Sequence, residues 1–272
     1  MKNIKVEPKW SRTKDQIWAD NFAEIVSLEP LVVKTPFLFR YKRRFQFATA
    51  VAAIFAAVLL IPSLYVKSFE ASTGERLTVT LPDGSGVTLN SLSSISYKPI
   101  LWFKERAVKM SGEVFFTVKR GSDFKVSSSN GVVSVLGTKF NVFSRGDNFS
   151  VTCYSGKVGV EAPGVEQGTT LENNTRLYRT SEGSFIVERS KQYDLKNSWI
   201  ENNFLFKAEP LKNVIDEIGR QYNVSISYDE NLNFNYTGNF SKLDNPLLVL
   251  EIVTLPFGLK IEERDGVYNI VN

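Results

Sequence analysis

From Phe45 to Val66 the chain reads FQFATAVAAIFAAVLLIPSLYV, an apolar run without a charged residue. At about 1.5 Å rise per residue, a helix of that length covers a hydrocarbon core of roughly 30 Å, so the pattern predicts one transmembrane helix. Pro62 falls near its outer end, where a break in the helix is tolerated. The first 44 residues precede the run, which is too many for a signal peptide.

Ahead of the run, Trp10 to Glu29 (WSRTKDQIWADNFAEIVSLE) predicts a short amphipathic helix. Thr13 followed by Gln16 fits a capping box, with Ser11 as an alternative start. Trp18, Phe22, Ile25 and Val26 fall on one face, and Asp20, Glu24 and Ser27 on the other. Pro30 and Pro36 break up the approach to the apolar run. A helix this short gains most of its stability by packing its apolar face. Trp10, Ile17, Trp18, Phe22, Ile25 and Val26 therefore read as a surface for a partner's groove. The inner leaflet is the alternative, although Asp15, Asp20, Glu24 and Glu29 disfavour it, because leaflet-bound helices carry a basic polar face.

Beyond the run the pattern becomes short alternating strands, such as Leu77–Leu81, Gly86–Asn90, Gly112–Val118, Val132–Leu136 and Ser150–Tyr154. The intervening Pro82-Asp83-Gly84, Arg120-Gly121, Asn130-Gly131 and Ser155-Gly156 are turn chemistry. An all-β antiparallel sandwich or roll over 67–190 follows. From 199 to 272 the pattern changes to α+β. A strand at Asn203–Ala208 precedes a helix opened by Pro210 at its first position, with Leu211, Val214, Ile215, Ile218 and Tyr222 on one face. Strands at 224–228 and 234–240 follow, then a second helix from Asn245-Pro246 with Leu247, Leu248, Leu250, Ile252 and Val253, and strands at 258–262 and 267–271. This reads as a duplicated βαβ-type unit with both helical stripes in its core.

The net charge of +4 and pI near 9.0 would suit a nucleic-acid binder. The basic residues instead crowd the apolar run: Lys34, Arg40, Lys42, Arg43 and Arg44, against Lys67 and Arg76 beyond it. Positive-inside bias then puts 1–44 in the cytoplasm, 45–66 in the inner membrane and the remainder outside, in the periplasm of a Gram-negative cell. Direct nucleic-acid binding is not expected. The chain has no histidine and one cysteine. That excludes Ser-His-Asp and Cys-His nucleophiles and the usual zinc sets, so no metal or cofactor is expected, and Cys153 reads as a packed thiol.

The segments LPDGSGVTLNSLSSISY (Leu81–Tyr97), VKMSGEVFFTV (Val108–Val118), VVSVLGTKFNV (Val132–Val142) and CYSGKVGV (Cys153–Val160) resemble the FecR family in order and spacing. The C-terminal FLFKAEPLKNVIDEIGRQYNVSISY and the segments after it resemble the domain that follows FecR regions, akin to the short N-terminal domain of secretins and TonB-dependent receptors. The resemblance covers about Glu75–Asn272. It implies an inner-membrane anti-sigma regulator whose cytoplasmic segment holds an extracytoplasmic-function sigma factor. Its periplasmic part would meet the signalling domain of a TonB-dependent outer-membrane transporter, with Tyr236, Thr237 and Phe240 as candidate contacts, and site proteases would free the sigma factor. The cytoplasmic segment is shorter than family members often carry.

Some members also cleave themselves at a Gly-Thr bond, which here is Gly137-Thr138; apart from that bond no enzyme is expected. The rival reading is a membrane-tethered glycan- or peptidoglycan-binding module. Trp102, Phe103, Phe115 and Phe116 would form its platform, although Phe115 and Phe116, adjacent in a strand, should face opposite ways.

Overall fold

The computed structural model describes residues 11–26, 37–180, 182–229 and 231–271; the side chains of 23, 25, 26, 37–43, 59–63 and 197 lie outside the description. The chain divides into two compact units, Met1–Ala56 and Ala57–Asn272.

Helix α1 spans Lys14–Val26 and starts as the sequence indicates. The Thr13 amide donates to Gln16 Oε1 at 3.0 Å and the Gln16 amide donates to Thr13 Oγ1 at 3.4 Å, which is a reciprocal capping box. Helix α2 spans Phe37–Leu64, 28 residues. It begins eight residues before the apolar run, immediately after Pro36. Arg and Lys are good helix formers, and nothing between Pro36 and Pro62 interrupts the backbone. The side chains of Phe45, Phe47, Ile54, Phe55 and Val58 are exposed. Among the described residues no helix is long and apolar enough to cross a membrane; the side chains of 59–63, part of the same run, are outside the description.

The second unit opens with a β domain of thirteen strands: β1 (Lys67–Ala71), β2 (Leu77–Thr80), β3 (Gly86–Leu89), β4 (Ser93–Tyr97), β5 (Arg106–Thr117), β6 (Phe124–Ser127), β7 (Val132–Val135), β8 (Lys139–Arg145), β9 (Asn148–Ser155), β10 (Val158–Glu161), β11 (Thr170–Leu171), β12 (Thr175–Arg179) and β13 (Phe185–Arg189). The long β5 belongs to two sheets. In its first half Arg106–Lys109 pairs with β6 and Val108–Ser111 with β4, and the sheet continues through β7, β10 and β11 with β1 outside β4. Its second half, Gly112–Thr117, pairs with β3 and β8 and continues to β9, β12 and β13.

Gly112 sits at the changeover with φ +90°, where a Cβ would lie 2.8 Å from the Leu92 carbonyl oxygen, so only glycine fits. The inner faces share one core, with Phe116 stacked on Phe140 at 5.0 Å and edge-on to Phe124 at 6.2 Å. Cys153 lies fully buried in it, its thiol pushed up to about 11 by burial. The antiparallel expectation holds with one exception: β5 and β6 run parallel, because β5 continues into the second sheet before the 118–123 loop brings Phe124–Ser127 back beside its first residues, Arg106–Lys109.

The α+β domain consists of β14 (Asn203–Pro210), α3 (Leu211–Tyr222), β15 (Ser225–Ser227), β16 (Asn235–Ser241), α4 (Pro246–Thr254), β17 (Lys260–Arg264) and β18 (Val267–Val271). Its elements follow the expected order, but the duplicated βαβ pairing is not what forms. β14 pairs antiparallel with β16, while β15 lies parallel to β18, itself antiparallel to β17. The strands before and after each helix thus lie in different two- and three-stranded sheets. Pro210 occupies the cap position of α3, one residue before the expected place, whereas Asn245 caps α4 by accepting from the Leu247 amide at 2.9 Å. The α3 stripe is core as read. That of α4 is core only in part: Leu250 and Val253 are buried, but Leu248 and Ile252 are 48% and 45% exposed, and Val249, outside the expected stripe, is buried.

Candidate functional site

Three places carry the candidate chemistry. The first is α1. Trp18 and Phe22, one turn apart, bring their rings to 4.6 Å and remain 54% and 40% exposed. Ile17 is half-buried. Trp10 lies outside the described residues, as do the side chains of Ile25, Val26, Arg40, Lys42 and Arg43. Arg12 pairs with Asp20 at 3.1 Å on the polar side. The helix therefore presents an apolar pair with a charged flank, a surface suited to a groove.

The second is the bond Gly137-Thr138. Thr138 is buried, and its hydroxyl donates to the Lys157 carbonyl at 3.0 Å. Gly137 is wedged so closely that a Cβ would lie 2.7 Å from Arg120 Cα. Gly156 turns at φ +96° beside it, where a Cβ would meet Thr138 Oγ1 at 2.9 Å and the Gly137 oxygen at 3.0 Å. The Thr138 hydroxyl and the Gly137 carbonyl thus both lie against Gly156.

The third, which sequence reasoning missed, is the junction of the β and α+β domains. Phe115 and Phe116 do face opposite ways: Phe116 fills the β core, and Phe115 packs outward with Trp199 and Phe204. Phe115 is also buried, because Trp199 and Phe204 cover the outer face of that sheet. Trp102 is buried as well; of the four residues in the glycan platform only Phe103 is open, at 88%.

The Trp199 indole donates to Asn141 Oδ1 at 3.1 Å, and Arg76 lies over its ring at 5.3 Å. Beside this contact the fully buried Asn90 directs its amide nitrogen to two carboxyls, Glu113 Oε2 at 2.8 Å and Glu217 Oε1 at 3.3 Å. Asn141 donates to the other Glu113 oxygen at 2.8 Å. From α3, Gln221 donates to Asn90 Oδ1 at 2.6 Å, and Arg220 grips Glu217 Oε2 at 3.0 and 2.8 Å. Burial, then the charge of Glu217, pushes the Glu113 carboxyl above the usual carboxylate range, against the donations of Asn90 and Asn141. A cavity of about 150 Å³ adjoins this cluster, lined in part by Glu113, Tyr154, Arg176 and Phe206.

The candidate transporter contacts serve mainly the fold. Tyr236 is buried in the α+β core, and Phe240 stacks on Phe204 at 5.5 Å. Thr237 is exposed, with its hydroxyl accepting from the Ala208 amide at 2.9 Å where β14 bulges. No sequence pattern pairs Asn90 with Glu217, 127 residues apart. The one legible signal is a carboxylate, Glu113, at an outward position beside Phe115.

A two-sheet β domain with a small α+β domain packed on it is the architecture that holds these three places. Residues 67–159 match the FecR protein model and 203–268 match the model described as FecR, C-terminal. The chain belongs to the FecR family. Two crystal structures of a candidate anti-sigma factor from Parabacteroides distasonis, at 2.50 and 1.65 Å resolution, are similar. Each is 26% identical and covers 76% of this chain and 99% of its own, with TM-scores of 0.70 and 0.68. No curated protein matches.

Proposed function

We propose that this chain is an anti-sigma regulator: α1 binds an extracytoplasmic-function sigma factor and the two-domain part senses a signal across the inner membrane. The observation that carries the reading is the exposed Trp18–Phe22 pair on a capped helix, in a chain 76% of which is covered by the similar candidate anti-sigma factor. The helix Phe37–Leu64 would anchor the chain through its uncharged run, and Arg40, Lys42, Arg43 and Arg44 would hold the short side in the cytoplasm. The signalling domain of a TonB-dependent transporter would engage the α+β domain, and site proteases would then release the sigma factor. A pull-down with the full chain as bait should retain one of the cell's extracytoplasmic-function sigma factors. Retention of none would refute the reading.

Self-cleavage at Gly137-Thr138 belongs to the same proposal. Thr138 Oγ would attack the Gly137 carbonyl carbon. The C–N bond would break as the ester forms, and the hydroxyl proton would pass to the freed Thr138 amine; water would then hydrolyse the ester. What supports the step is that the Thr138 hydroxyl and the Gly137 carbonyl oxygen both lie against Gly156. Purified wild-type protein should run as two fragments split at residue 137, and Thr138→Ala as one. An unsplit wild type excludes the step.

A further inference from the structure

The cluster at the junction is built from both domains, and its centre is a single side chain. Asn90 follows β3 in the β domain, and its two amide protons are shared between Glu113, on β5, and Glu217, on α3. Its carbonyl oxygen accepts from Gln221, again on α3, while also accepting from the Ser91 amide at 2.9 Å. Every hydrogen-bonding position of this carboxamide is occupied, and two of its partners come from the other domain. A second tie, the Gly74 amide donating to the Arg220 carbonyl at 2.8 Å, reaches the same end of α3.

We propose that the Asn90 carboxamide, bridging Glu113 and Glu217, is a releasable clasp that fixes the α+β domain on the β domain. The inference rests on the signalling reading only for its purpose. A partner that pulls on or competes for α3 must break this cluster, because α3 contributes Glu217, Arg220 and Gln221 from one face.

Buried polar groups that lose a partner are costly, whereas the fully satisfied set is rigid, so the clasp has two states with little between them. Two carboxyls on one amide nitrogen tolerate at most one full negative charge comfortably. The groups around the Glu113–Glu217 pair are Arg220 from α3, Arg145 from β8, Tyr154 from β9, Arg176 from β12 and Arg76 from the loop before β2, with Lys242 beyond β16 on the Glu217 side. Burial holds Glu113 toward its neutral form in the closed junction. The stability it lends is therefore present below the ordinary carboxylate range and is lost as pH rises through its raised value.

Hydrogen–deuterium exchange on the full chain, corrected for intrinsic rate, tests this by comparing a pH within the ordinary carboxylate range with an alkaline pH. Segments 198–206 and 211–222 are the readout, and β9 (Asn148–Ser155) is the internal reference. In the wild type, exchange in the two segments should rise severalfold with pH while β9 stays protected, and Glu113→Gln should remove the pH dependence. Asn90→Ala should raise exchange roughly tenfold or more at both pH values, again with β9 protected. A wild type without pH dependence, or a Glu113→Gln variant that keeps the wild-type slope, overturns the clasp, as does an Asn90→Ala variant that exchanges like the wild type. Should Asn90→Ala lose protection in β9 as well, Glu113→Gln alone decides. Because exchange is read on the chain itself, a missing sigma partner would leave this result standing, and a rigid junction would leave the partner reading intact.

Discussion

Replacing Arg106 by leucine is expected to destabilise the β domain by about 3–5 kcal/mol, the usual cost of breaking a buried ion pair. Arg106 is 8% exposed and holds the Leu81–Ser85 turn in place. Its Nε donates to Asp83 Oδ2 at 2.8 Å, and Nη2 makes a short bond to the same oxygen. Nη1 donates to the Ser122 carbonyl at 2.7 Å and Nη2 to the Lys119 carbonyl at 2.9 Å. Asp83 meanwhile accepts from both the amide and the hydroxyl of Ser85, at 2.9 and 2.8 Å. Leucine would take the donor from the Ser122 and Lys119 carbonyls and leave the Asp83 carboxylate with Ser85 alone and no counter-charge.

In thermal melts the midpoint should fall by roughly 10 °C, at about 2–4 °C per kcal/mol for a domain of this size. A fall under 2 °C would show that the pair is not structural. Burial tends to raise the Asp83 carboxyl, but Ser85 and Arg106 outweigh it and hold the carboxyl below its usual range. Its contribution is therefore present above the ordinary carboxylate range and is lost as pH falls through the depressed value. Asp83→Asn should flatten that part of the acid denaturation curve.

The second large effect concerns α1. Trp18→Ala with Phe22→Ala should weaken sigma-factor binding by about 100- to 1000-fold, as expected when two aromatic anchors of an interface are removed. The substitutions leave the Thr13–Gln16 box intact and replace two exposed side chains with alanine, a better helix former, so helix loss would not explain the change. Titration of the purified sigma factor against both forms of the chain measures this. A change under threefold would place the binding surface elsewhere.

Local patterns carried most of what could be foreseen. The capping box of α1 lies within four residues, so sequence alone fixes its start. The Leu211-to-Tyr222 stripe predicted the buried face of α3, and the alternation at Phe115-Phe116 predicted two opposed faces. What the sequence could not show depends on long-range docking. The rival reading offered Phe115 and Trp102 to a ligand, yet the α+β domain covers the first and the β core takes in the second. The α4 stripe overstated burial, because Leu248 and Ile252 face away from a domain only one helix layer deep. The split of β14–β16 from β15–β18 arises from pairings across many residues, to which helical periodicity is blind. Asn90 sits in the LPDGSGVTLN motif, where Asp83 and Ser85 explain the turn. Its own role emerges only once Glu217 and Gln221 are brought against it.

The most direct test of the central claim is transcription in cells that produce residues 1–44 alone, freed from the exported domains. The account predicts a shift, up or down, in the transcripts of one extracytoplasmic-function sigma factor's regulon, abolished by Trp18→Ala with Phe22→Ala. Unchanged transcripts for every such regulon, with the segment stably present, would contradict it.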